Sequence, residues 1–121
     1  MMSFPENIDH YLEQVGQVAC EVESAVEEQL EFVAISCVRY KDGENFWRRF
    51  PYLGDARVLY RVYRFRVAKE LVDSDRSVGP DDLVDLQQIY TSSKLVVAEI
   101  LHDWKVEMDQ LCLPVESRFP L

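Results

Sequence analysis

Phe32-Val33-Ala34-Ile35-Ser36-Cys37-Val38 decides the fold. The stretch is apolar on every side, so it reads either as a helix end covered on both flanks or as a buried strand. N-terminal to it, Ile8, Leu12, Val15, Ala19, Val22, Val26 and Leu30 recur at spacings of 3 and 4. Val33, Cys37 and Tyr40 continue that seam unbroken through the apolar stretch. Pro5 and Asn7 suit a helix start and Asp42-Gly43 suits its end. The continuity of the seam favours one helix over about 6–41, roughly 50 Å long at 1.5 Å per residue. The alternative is a strand at 32–38 returning through a Lys41-Asp42-Gly43-Glu44 turn.

Further along, Pro51 and Gly54 close a connector and Asp55 offers an N-cap. A second helix over about 55–73 then carries two apolar rows. Leu59, Tyr63, Val67 and Leu71 form one; Val58, Val62, Phe65 and Val72 form the other. Pro80 followed by Asp81 and Asp82 is a strong helix start. Leu83, Leu86, Tyr90, Ser93, Val97, Leu101, Trp104, Met108 and Leu111 make a third seam, over about 80–112. Its weakest point is Thr91-Ser92-Ser93. The reading is a single all-α domain, 1–121: an antiparallel three-helix bundle of two long helices and a shorter central one, with an extended tail at 114–121. The alternative is α+β with a hairpin near 31–50.

Charge is sorted along the chain. Residues 1–38 hold eight acids and no Lys or Arg, residues 39–69 nine bases against three acids, and residues 70–121 eleven acids against four bases. The net charge of −9 works against a broad phosphate-binding surface and suits a basic protein partner. Three cysteines, Cys20, Cys37 and Cys112, at wide spacing read as reduced thiols. Residues 1–14 have neither a basic segment nor an apolar one, so no signal peptide is expected. No stretch is apolar for ~18 residues, so no membrane span is expected either. A cytoplasmic location is the default these features leave.

Hard cations favour clustered carboxylates. Glu27-Glu28-x-x-Glu31, followed by Glu70-x-x-Asp73, resembles the paired acidic motif of the all-α nucleotide pyrophosphatases of the MazG kind. The resemblance implies that these acids hold Mg²⁺ and a triphosphate. On the helix reading, Glu27, Glu28 and Glu31 fall opposite the core seam and form a solvated face. Glu99-x-x-His102 is half of a di-iron signature whose second half is absent, and no nucleophile elbow, phosphate loop or dinucleotide fingerprint occurs.

The 40–66 segment holds eight of the fourteen aromatics interleaved with six arginines. Within it, Trp47, Arg48, Arg49 and Tyr52 are candidates for a partner surface, by protein contact or by base stacking. The competing reading pairs the arginines internally with neighbouring acids. The function expected is non-enzymatic protein binding, as an inhibitor or immunity-type protein, an adaptor or an assembly subunit. Glu27, Glu28 and Glu31 would steer the partner, and Phe32, Ile35 and Val96 would supply buried contact. A homodimer or hetero-complex is expected, with no cofactor. A Mg²⁺-dependent pyrophosphatase and a nucleic-acid binder using 46–66 are the alternatives.

Overall fold

A computed structural model describes residues 6–39, 58–74, 78–113 and 119–120. Its elements are α1 (Glu6–Gln14), β1 (Gln17–Val22), β2 (Gln29–Arg39), β3 (Val58–Ala68), α2 (Lys69–Asp73), β4 (Leu83–Thr91) and α3 (Lys94–Asp103). The strands form an antiparallel sheet in chain order, β1-β2-β3-β4. The architecture is α+β, which overturns the three-helix bundle and favours the alternative class.

Each expected helix fails for a stated reason. The first ends at Gln14 because Gly16 takes φ +88°, a left-handed conformation that suits glycine after a helix. The amides of Val15 and Gly16 both donate to the Tyr11 carbonyl, closing α1, and Cys37 N–H then donates to the Gly16 carbonyl at 2.8 Å. The chain has already entered the sheet. The expected central helix is strand β3 followed by the short α2. The third breaks at Thr91-Ser92-Ser93 into β4 and α3, where the Ser93 hydroxyl accepts from Val96 N–H and caps α3. The partner of β2 is β3, in register Arg39↔Val58 to Gln29↔Ala68, and this pair replaces the expected hairpin near 31–50.

Strand β2 is apolar all round because both of its faces are covered. Val33 and Ile35 join Val18, Cys20, Tyr60 and Val62 under α1 and α3, which contribute Ile8, Leu12, Val97 and Leu101; this is the helical face. Leu30, Phe32 and Ala34 join Ala19, Tyr63, Phe65 and Val67 on the other side, with Leu71 and Val72 of α2 and with Phe119. On this aromatic face the Phe32, Phe65 and Phe119 rings stand 5.8 Å apart pairwise. Burying each such side chain contributes roughly 1.5–3 kcal/mol. Helix α1 lies over β1 and β2 and α3 over β3 and β4. Lys94 at the start of α3 reaches the Asp9 carboxylate of α1 at 2.8 Å, and that hydrogen bond holds the ammonium pKa above its usual value.

Candidate functional site

At one end of the sheet the turn between β1 and β2 meets α2. The Ser24 hydroxyl accepts from Val26 N–H at 3.1 Å, and Gln29 N–H donates to the Val26 carbonyl, shaping the turn that presents Glu27 and Glu28. Lys69 N–H donates to the Glu28 carbonyl at 3.0 Å, fixing the start of α2 against that turn. Glu27, Glu28, Ala68, Lys69, Glu70 and Asp73 consequently border one open cleft. Carboxylates about forty residues apart in sequence thus face a shared volume, with Lys69 the one cation among the described lining residues.

Glu31, the fifth acid of the motif, is elsewhere. It is buried on the helical face and ion-paired with Arg64, whose guanidinium also stands 5.4 Å from the Trp104 ring centre. Among the described residues, no three His, Cys, Asp or Glu side chains stand close enough to hold a metal ion. The all-α fold implied by the pyrophosphatase resemblance is not the fold observed.

Other candidates divide by burial. Phe32 and Ile35 are fully buried, one in each core, and so serve the fold rather than a partner surface. Val96 is exposed on α3, with Leu95 beside it. Trp47, Arg48, Arg49 and Tyr52 lie outside the described residues, as does Asp55. The described arginines of β3 have internal partners. Arg61 stands 4.1 Å over the Tyr63 ring and donates to Gln88, Arg64 pairs with Glu31, and Arg66 pairs with Asp85.

The two edges of the sheet were not anticipated as functional features. At the β1 edge, Ala19 and Cys112 exchange backbone hydrogen bonds of 2.9 Å, so the chain's own C-terminal segment covers that strand. Burial, with Cys112 nearby, pushes the Cys20 thiol up to about 11, and burial also raises the Tyr63 phenol. The β4 edge carries half-exposed Leu86 and Ile89. Alternation of exposed and buried residues marks a strand with one face in solvent, and Leu83–Thr91 shows it weakly because most of its side chains are exposed.

No helix among the described residues is long and apolar enough to cross a membrane. No protein-family model, curated protein or solved structure matches the chain.

Proposed function

We propose that this chain is a protein-binding module that takes a basic segment of its partner into the acidic cleft. One observation carries this reading. Glu27, Glu28, Glu70 and Asp73, from two separate elements, line a single open cleft in which Lys69 is the only cation among the described residues. A lysine- or arginine-rich segment seated there gains several charge-assisted contacts at once. The net charge of −9 adds long-range attraction, which raises association rates and weakens with salt. The same field opposes phosphates, so nucleotides and nucleic acids fit the cleft poorly. Inhibitor, adaptor and assembly-subunit roles all use binding of this kind.

The test is capture of partners from nuclease-treated lysate on the wild-type protein and on the triple variant E27K/E28K/E70K. Glu31 is left intact because its buried pair with Arg64 belongs to the fold. The wild type should retain a basic protein that moderate salt releases, and the variant should not. Equal retention of the same proteins by both would sink the cleft reading.

A further inference from the structure

We propose that the helical face of the sheet holds a binding site for a free α-amino acid, in a polar cavity bordered by β2, β3 and β4. The site shares no residue with the acidic cleft and stands or falls apart from it.

Glu31 of β2, Arg64 and Arg66 of β3, and Asp85 and Gln87 of β4 border one cavity of about 430 Å³. Small-molecule sites span roughly 300–1,000 Å³. Strand pairing sets these residues side by side, with Glu31 opposite Arg66 and Arg64 opposite Gln87. From Gln87 to Val84, three steps of β4 span the two steps from Arg64 to Arg66, so β4 bulges here. Asp85 sits in the bulge at φ +52°, a left-handed conformation that aspartate tolerates. Bulges re-aim side chains, and this one brings the Asp85 carboxylate to Arg66.

Hydrogen-bonding capacity is left over on this face. Arg66 gives an Nη2 proton to Asp85, yet among the described residues its Nε–H is buried with no acceptor. Nε and Nη2 form one edge of the planar guanidinium, an edge that a carboxylate can take with both oxygens. Gln29, two residues before Glu31 and so on the same face of β2, has a buried Oε1 with no donor among the described residues. A buried polar group left unpaired is costly, and a ligand that supplies the missing partner recovers that cost. The Asp85 side chain is 64% exposed, and an exposed ion pair contributes little, so Asp85 yields the Nη2 position with small loss.

Charge selects the ligand. The cavity is bordered by two guanidinium groups and two carboxylates, a balance of zero. A simple anion meets Glu31, Asp85 and the chain's net charge of −9, and a simple cation meets Arg64 and Arg66. A zwitterion meets neither obstacle. Its carboxylate takes the Nε–Nη2 edge of Arg66, and its ammonium donates to Glu31 and to the displaced Asp85. Arg64, paired with Glu31 and 5.4 Å from the Trp104 ring centre, anchors the Glu31 carboxylate in position. Directly opposed residues on neighbouring strands have Cβ atoms about 5 Å apart, so Glu31 and Arg66 require a ligand whose two charges are close together. In an α-amino acid both charges are carried on one carbon.

The test is a nuclear magnetic resonance titration of the ¹⁵N-labelled full chain with each of the common L-amino acids in turn. The arginine Nε–H signal missing from R66K, a variant checked for wild-type circular dichroism, is that of Arg66. At least one amino acid should move this signal saturably at millimolar concentration. The amide and the N-acetyl derivative of that amino acid, each lacking one of the two charges, should bind at least about tenfold more weakly, as should the amino acid itself to R66K. Binding of 6-aminohexanoate, whose charges stand five carbons apart, should be weaker still. An Arg66 Nε–H signal that no amino acid moves would show that the edge is satisfied from within and would overturn the proposal. So would acetate, the N-acetyl derivative or 6-aminohexanoate binding as well as the amino acid, or R66K binding it unchanged.

Discussion

The two edge strands of this sheet solve the same problem differently. Strand β1 meets a segment from the other end of the chain, through paired hydrogen bonds between Ala19 and Cys112, and Leu111 beside them is buried in the core under the helices. Strand β4 has no such cover among the described residues, and most of its side chains are exposed. An edge closed from within contributes to the stability of one chain. An edge left open contributes only when something docks on it. The contrast separates residues whose burial holds the fold from residues that are exposed, and it yields a ranked set of stability effects.

The reference point is the strand between the edges. Phe32→Ala in β2 removes a fully buried ring from the aromatic face and should cost ~4 kcal/mol in chemical denaturation. Next comes the closed edge. Leu111→Ala, at a residue only 3% exposed, should cost about 3 kcal/mol and speed hydrogen exchange at the Ala19 amide. If Leu111→Ala were neutral, the C-terminal segment would not hold that edge.

The closed edge also has a pH signature. The Cys20 thiol stays neutral up to about 11 in the folded chain, whereas in the unfolded chain it ionises near 9.0. The raised value means that the folded state keeps its proton while the unfolded state loses one. The Cys20 contribution is therefore intact below pH 9 and is lost as pH rises through 11. The loss should reach roughly 2–3 kcal/mol and be absent from Cys20→Ala, so that it shows as the difference between the two chains. A wild-type and variant slope that coincide above pH 9 would show the thiol to be solvated.

Smaller effects belong to the β4 side. Ser93→Ala removes the cap that joins β4 to α3 and should cost about 1 kcal/mol. Ile89→Thr on β4, at a residue 42% exposed, should lie within about 0.5 kcal/mol. A large loss there would mean that β4 is braced from within after all, and the contrast between the edges would fail.

How much of this was legible in the sequence depended on spacing. A four-residue interval lies on one face of a helix and also on one face of a strand, because four is a multiple of two. Leu59, Tyr63, Val67 and Leu71 therefore fitted the expected helix without distinguishing it from β3. The discriminating two-residue intervals, Val58-Tyr60-Val62 and Tyr63-Phe65-Val67, were present. They were obscured because both faces of β3 are buried and because Arg64 and Arg66 continue the first row with charge. The same double burial hid β2. The N-terminal seam crossed Gly16 without registering that a glycine nine residues after Asn7 is a stop signal. At Thr91-Ser92-Ser93 the sequence showed a weak point, and the structure breaks there. Glu27-Glu28 and Glu70-x-x-Asp73 were noticed by residue type, and four of the five motif acids do line one cleft. That Glu31 would leave them for Arg64 depended on strand parity, which the helix reading assigned wrongly.

The Arg64–Glu31 and Arg66–Asp85 pairs give the sorted charge of the chain a further meaning. Three bases of the basic block, Arg61, Arg64 and Arg66, lie on the strand between two acid-bearing neighbours, and Arg64 and Arg66 each find a carboxylate only in one alignment. Sliding β2 by one residue along β3 would turn Glu31 onto the aromatic face and strand Arg64 without its partner. The acid–base–acid order of the sequence thus favours the native alignment of β2, β3 and β4 over one shifted by a residue.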